Sequence, residues 1–413
     1  MDRQRLNILA LSYLFPNRAQ PEYGVFVLNR LAAVSRHCNI KVVAPVQWYP
    51  FIKTLRNSIR SKEIPVEDKV GGLEVHYPRF PVIPRYLKWF DAVSYLFAVR
   101  PVVNELQRAG LFKLDLIDVH WTYPDILAGY VLARFSGKKF IVTVRGREAL
   151  YLEENSLRRR IVAALLCKAD FVVALSDELR ELVTFIGVDP EKSRVVLNGV
   201  DLARFTCNDR EESRRRVGLP LEKKVIVSVG SLIERKGHHE LVRIMPGLSK
   251  SCDVELYIVG GVNPEGDYSS VLRSMIAELG LTNVYLVDKV EHEALADWYN
   301  SADLFCLATK GEGCPNVVLE ALACGTPVVV TDVGAVGELV VAGENGFVLP
   351  LAELSSLETV VSGALEREWD RAGISERMAD WGWSSCAEQV AEIYRHVLGH
   401  GSTGELHENT VPP

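Results

Sequence analysis

The sequence predicts an α/β protein made of two Rossmann-like domains, each a doubly wound parallel sheet. Two observations carry this. Short β-branched runs recur at 7–12, 40–45, 73–78, 116–121, 140–144, 171–176 and 194–199, then again at 225–230, 255–261, 283–288, 304–309, 327–332 and 346–350. Continuous apolarity suits strands buried on both faces, and longer helical stretches separate them. The second observation is size: 413 residues, 48% hydrophobic and 24% charged, make two to three ordinary globular domains at roughly 100–200 residues each. That composition excludes a disordered, collagenous or coiled-coil chain. No run reaches the roughly 18 apolar residues of a membrane-spanning helix.

In chain order, the first run follows Arg3 and Arg5, as the core of a secretory leader would. Pro16-Asn17-Arg18 follows without a small-residue cleavage site, so 7–12 reads as a buried first strand. The break between domains falls at 201–223. There Arg210-Glu211-Glu212-Ser213-Arg214-Arg215-Arg216 reads as a solvated helix with paired charges rather than a nucleic-acid site. The expected domains are 1–200 and 201–380, with a helix over 381–398 crossing back to the first domain and a flexible tail over 399–413.

Eight cysteines are scattered without a CxxC pair, which suits reduced thiols and a cytoplasmic chain. No His/Cys cluster has zinc spacing, so no metal is expected. Residues 1–200 carry 29 Lys and Arg against 20 Asp and Glu, whereas residues 201–413 carry 18 against 33. A basic first half and an acidic second half suggest that only the first meets an anionic partner.

Chemistry concentrates on loops that follow strands, where ligands of such sheets bind. After the run at 304–309 comes Gly311-Glu312-Gly313-Cys314-Pro315-Asn316-Val317-Val318-Leu319-Glu320-Ala321-Leu322-Ala323-Cys324-Gly325-Thr326-Pro327. Pro315 is placed like a first-turn proline, 317–323 reads as a short helix, and the loop before it can receive an anion or sugar hydroxyls. Glu312 lies in the loop and Glu320 in the helix; both also fit plain surface or capping carboxylates. After 225–230 comes Ser231-Leu232-Ile233-Glu234-Arg235-Lys236-Gly237. Adjacent cations at a strand-to-helix junction suit a diphosphate, although two such residues are commonly just solvated.

Together these loops make the chain resemble, over nearly its whole length, the retaining glycosyltransferases of the GT-B fold, family 4, of the kind that builds bacterial polysaccharides such as teichuronic acid. Glu312 and Glu320 have the family's two-glutamate spacing, and Gly230 through Gly237 resembles its diphosphate loop. Val196-Leu197-Asn198-Gly199-Val200-Asp201 with Phe205 resembles its signature before the second domain, and Phe15-Pro16 with Gly24 its N-terminal glycine loop. The resemblance implies a first, acceptor domain and a second, donor domain facing a cleft. It implies that Arg235 and Lys236 hold the donor diphosphate, Glu320 the ribose and Glu312 the sugar hydroxyls. Gly24, Gly230 and the backbone of Gly313, Cys314, Asn316 and Val317 would line the donor pocket. The donor would be a UDP- or GDP-sugar, a co-substrate, with no resident cofactor.

One departure stands out. Relatives commonly carry a donor-touching histidine where Thr143-Val144-Arg145-Gly146-Arg147-Glu148 places Arg145, which could reach a sugar or the leaving phosphate or simply pair with Glu148. His120 and Trp121 end the preceding strand, as an acceptor platform or as packed core. No Asp-x-Asp motif is present, so the basic loop and helix N-termini are expected to stabilise the leaving diphosphate without a metal. Arg79, Arg85, Lys88 and Arg100 interleave with Phe80, Tyr86, Leu87, Trp89, Phe90, Tyr95 and Phe97. That stretch fits either peripheral contact with an anionic membrane at the inner face of the cell or a helix packed on the first sheet. The expected acceptor is a glycan, lipid-linked. The rivals are an epimerase or hydrolase on the same fold, and a non-catalytic nucleotide-sugar-binding module. Nucleic-acid binding lacks any motif.

Overall fold

The computed structural model describes residues 5–49, 63–82, 89–108, 110, 112–146, 151, 156–262 and 266–400. The chain forms two compact units, Met1–Asn198 with Trp383–Pro413, and Gly199–Gly382.

The first unit has strands β1 (Asn7–Leu11), β2 (Asn39–Val43), β3 (Val46–Trp48), β4 (Glu67–Val70), β5 (Leu73–His76), β6 (Arg79–Pro81), β7 (Leu116–Val119), β8 (Lys139–Val144), β9 (Phe171–Ala174) and β10 (Ser193–Val195). Eight of them form one sheet in the order β10-β9-β8-β7-β1-β2-β5-β4, and β3 pairs with β6 apart from it. Ile8 to Leu11 are fully enclosed because the sheet is covered on both faces. One edge departs from a purely parallel sheet: β4 runs antiparallel to β5. Glu67, Asp68 and Lys69 are too polar for a buried run but suit an exposed edge. Gly71 and Gly72 close the hairpin at φ 55° and 84°, as its tight turn requires.

The helix Trp383–Leu398 belongs to this unit. Its residues Cys386, Ala387, Val390, Ile393, Tyr394 and Val397 join the cluster around Ile8, Leu31 and Val42. Their spacing of three and four places them on one helix face. From residue 401 onward the expected tail lies outside the described residues.

The second unit has β11 (Lys224–Val229), β12 (Val254–Val259), β13 (Val284–Val287), β14 (Leu304–Leu307), β15 (Val328–Thr331) and β16 (Gly346–Leu349). They are parallel throughout, in the order β13-β12-β11-β14-β15-β16. Strand order reverses between β11 and β14 here, and between β1 and β7 in the first unit. At such a reversal the flanking loops splay apart and leave room for a ligand.

The charged run at 210–216 forms a helix, Arg210–Val217, and its outer pairs Glu211–Arg215 and Glu212–Arg216 are solvated. Arg214 corrects the expectation of a wholly solvated face. It is buried, donates to Asp303 at 2.6 Å and to the Ser301 carbonyl at 2.9 Å, and anchors the helix.

Candidate functional site

The loops after β11 and β14 flank the reversal of the second sheet. The first makes a 3-10 turn, Glu234–Lys236, and ends at Gly237 with φ 70°. A Cβ on Gly237 would lie 1.8 Å from the Ala308 carbonyl oxygen, so only glycine lets the two loops close on each other. The Lys310 amide then donates to the Arg235 carbonyl at 2.8 Å, and the Thr309 hydroxyl does so at 3.2 Å.

This closure gathers charge on one carboxylate oxygen. Glu312 Oε1 accepts from Lys236 Nζ at 2.6 Å and from the Thr309 hydroxyl at 3.0 Å, with Arg235 Nη1 at 3.5 Å. Arg235 also donates to the Gly311 carbonyl at 2.6 Å, while its side chain stays 41% exposed. A partly exposed carboxylate between two cations leaves a net positive loop able to take an anion. His238, at the start of the helix His238–Ser251, adds no charge to it. Burial, then the neighbouring Lys236, pushes its pKa down to about 4, and its Nδ1 sits 3.1 Å from the Ser228 hydroxyl.

The helix Asn316–Ala323 points its N-terminus, with partial positive charge, at the same loop. Pro315 is its N-cap, in an extended conformation, one position before the first-turn place expected for it. Gly313, Cys314, Asn316 and Val317 are half-buried along this turn, which the Ala335 amide steadies by donating to the Gly313 carbonyl at 2.9 Å. Glu320 is buried. Its Oε2 accepts from the Tyr299 hydroxyl at 2.7 Å, and its Oε1 lies 3.1 Å from His292 Nε2. Arg204 Nη1 stands 2.5 Å from the other imidazole nitrogen, and the Phe205 ring packs edge-on against both His292 and Tyr299. The bond to Glu320 is the main reason that the His292 pKa is raised. Sequence reasoning missed Thr309, Tyr299, His292 and Arg204. Only His292 offered a signal, as a polar residue just after a strand end.

In the first unit, Gly24 caps the helix Val25–Val34 at φ 76°, and a Cβ there would meet the Leu14 carbonyl at 2.5 Å. Arg145 is buried. It donates to the His120 carbonyl at 3.0 Å and to the Asn198 side-chain oxygen at 3.4 Å, with Nη2 2.8 Å from His120 Nδ1. His120 Nε2 lies 2.9 Å from Asp118 Oδ2, which also accepts from the Tyr394 hydroxyl. With Nδ1 beside Arg145, Nε2 near Asp118 and no exposed surface, His120 fits the packed-core alternative rather than the acceptor platform. Trp121 beside it is half-buried. The alternative partner Glu148 lies outside the described residues.

The basic-aromatic stretch divides. Phe80 and Tyr95 are core residues packed at 5.4 Å. Trp89 and Phe97 are exposed, and Arg100 covers the exposed Phe135 at 5.2 Å. Arg85, Tyr86, Leu87 and Lys88 lie outside the described residues. No described helix is long and apolar enough to cross a membrane. Among the described residues no group of three His, Cys, Asp or Glu gathers as a metal ion requires.

Two family models match the chain: Glycosyltransferase Family 4 over residues 60–204 and Glycosyl transferases group 1 over residues 209–380. TuaC of Bacillus subtilis, a glycosyltransferase assigned to teichuronic acid biosynthesis, is 27% identical over 371 residues, covering 88% of this chain and 90% of TuaC. A sucrose-phosphate synthase from Thermosynechococcus elongatus superimposes with a TM-score of 0.74 at 20% identity, over 96% of this chain and all of that one. HepE from Anabaena, in complex with UDP and glucose, does so with a TM-score of 0.68 at 20% identity, over 94% and 99%.

Proposed function

Because the chain belongs to the family 4-type glycosyltransferases of the GT-B fold, we propose that it transfers a sugar, with retention, from a nucleotide-sugar to a lipid-linked glycan during cell-surface polysaccharide synthesis. The observation that carries this reading is the convergence of Arg235, Lys236 and Glu312 at the strand-order reversal of the second sheet. TuaC, matched along most of its length, supports the polysaccharide context. HepE, of similar fold, binds UDP and glucose, which supports a UDP-sugar.

In this reading Arg235 and Lys236 neutralise the donor diphosphate, and Lys236 turns from Glu312 to a phosphate oxygen when the donor arrives. The bond between the sugar's anomeric carbon and the phosphate oxygen breaks while the acceptor oxygen bonds to that carbon from the same face. The acceptor's proton passes to the departing phosphate. Positive charge grows on the sugar as the old bond loosens, and Glu312 stands beside it as an electrostatic aid. Gly230, Gly313, Cys314, Asn316 and Val317 shape the pocket, and Glu320 holds the ribose. The basic loop and the helix N-terminus do the work of charge stabilisation without a divalent ion.

Gly24 gives the first unit a glycine loop of its own, Arg145 is oriented by His120, and Trp121 offers a sugar platform. The exposed Phe97, Arg100 and Phe135 suit contact with an anionic membrane at its cytoplasmic face. The test is a thermal-shift screen of UDP-, GDP- and ADP-sugars, since a ligand of the folded state raises the midpoint. Lys236→Ala and Arg235→Ala are each expected to weaken the selected donor roughly ten- to a hundredfold, the cost of a charge-assisted phosphate contact. Unchanged donor affinity in both variants rejects the diphosphate assignment.

A further inference from the structure

Glu320 is held by side chains alone, and they differ in kind. A carboxylate offers about four lone-pair sites. Tyr299 takes one on Oε2 at 2.7 Å, and His292 takes one on Oε1 at 3.1 Å. One site on each oxygen remains, an acceptor pair that matches two neighbouring hydroxyls. Tyr299 is fully buried, and burial raises its hydroxyl pKa well above the usual value, so it donates at every working pH. The His292 side chain is 40% exposed and titrates in an accessible range.

Arg204 decides which nitrogen of His292 carries the proton. A guanidinium only donates, so the nitrogen 2.5 Å from it, Nδ1, must accept. The imidazole proton then sits on Nε2, aimed at Glu320. Phe205, edge-on to both rings at 5.4 and 5.9 Å, keeps His292 and Tyr299 in place.

We propose that His292, its tautomer fixed by Arg204, is a positioning residue that sets both the geometry and the acceptor strength of Glu320 toward a nucleotide ribose. The inference rests on the nucleotide reading of this site. The neutral ring leaves the full carboxylate charge for the ribose hydroxyls. Protonation puts a second N–H against Arg204, loses that bond, and turns Glu320 toward an imidazolium. Three charged groups face the ring. Glu320 from its helix and Glu293 from the ring's own turn favour the proton, Arg204 from the 201–205 turn opposes it, and Tyr299, on the other oxygen of Glu320, stays neutral. Diphosphate affinity therefore falls as pH drops through the raised His292 pKa.

The test titrates UDP, GDP and ADP into the full chain by calorimetry, at about pH 8 and about pH 6. At the higher pH, His292→Ala should bind the accepted diphosphate roughly five- to tenfold more weakly than wild type. His292→Gln, whose amide can replace Nε2–H but cannot titrate, should recover wild-type affinity to within about twofold and lose the decline at lower pH. Arg204→Gln should move that decline to higher pH, a change that loss of packing alone does not produce. Matched thermal midpoints check folding, and the Arg204 variant keeps the test open where a His292 variant does not fold. Wild-type binding by His292→Ala, or a decline retained in His292→Gln, overturns the inference and leaves the nucleotide reading standing. If none of the three diphosphates binds, or Glu320→Gln binds as wild type, the nucleotide reading falls and takes the inference with it.

Discussion

Each unit links a carboxylate, an imidazole and a guanidinium at the carboxyl ends of its strands. In the first unit the chain is Asp118–His120–Arg145, with 2.9 and 2.8 Å links. In the second it is Glu320–His292–Arg204, with 3.1 and 2.5 Å links. The order of groups is the same, with an arginine on one imidazole nitrogen and a carboxylate near the other. The surroundings are opposite. His120 is fully enclosed and burial pushes its pKa down, whereas His292 is part-exposed and its bond to Glu320 pulls its pKa up. One arrangement is thus sealed from solvent in one unit and reached by it in the other, and that access is what the proposed ribose site requires.

The sharpest way to break this comparison is to remove the buried carboxylate. Asp118→Ala leaves His120 and the Tyr394 hydroxyl without their carboxylate, and breaking such a buried pair costs about 3–5 kcal/mol. A large fall in the urea midpoint is expected, with diphosphate affinity near wild type at temperatures where the variant is folded. A midpoint within error of wild type would show the chain in the first unit to be dispensable.

Next in size come the two glutamates of the second unit, assayed at saturating acceptor with EDTA present. In the proposed reaction Glu312→Gln removes negative charge where the sugar becomes cationic, so turnover should fall on the order of a hundredfold or more. Glu320→Gln touches a group bound alike in ground and transition states, so it should chiefly raise the Michaelis constant for the donor. The reverse pattern would exchange their roles, and activity lost in EDTA and restored by magnesium would refute charge stabilisation by the basic loop alone.

The smallest effect is a slope. Asp125, enclosed at the first turn of the helix Asp125–Ser136, accepts from the Tyr13 amide at 2.8 Å, and burial raises its pKa to about 7. The folded chain therefore keeps a proton that the unfolded chain has released. The resulting stability is full below the ordinary carboxyl range and is lost as pH rises through about 7. Between about pH 5 and pH 8 wild type should lose roughly 2–3 kcal/mol relative to Asp125→Asn. Parallel denaturation curves for the two proteins across that range would remove the buried acid from the account.

The two main sheets were legible because strands buried on both faces leave continuous β-branched runs, and most of these lie within a residue or two of their places. The run at 194–199 ends four residues past its strand, and the short pair Val46–Trp48 and Arg79–Pro81 gave no such run. The loops bearing Arg235, Lys236 and Glu312 were legible because glycine and charge punctuate them locally. Tyr299, His292 and Arg204 were not, since they reach Glu320 from 21, 28 and over a hundred residues away in sequence. The β4 edge was hidden by its own polarity, and buried Arg214 by the exposed charges on either side of it. His120 read equally as an acceptor platform or packed core because the sequence cannot show a carboxylate and an arginine closing over its nitrogens.

The helix Trp383–Leu398 has a consequence for the order in which the protein is made. The first unit begins at the start of the chain but finishes only with this helix, after the whole of Gly199–Gly382 has been synthesised. Until then Asp118 lacks the Tyr394 hydroxyl, and Ile8, Leu31 and Val42 lack the apolar face that completes their cluster. The second unit, encoded later, has all its strands available first. The part translated first is therefore the part completed last, and a chain released at residue 382 holds every residue of the second unit but an unfinished first one.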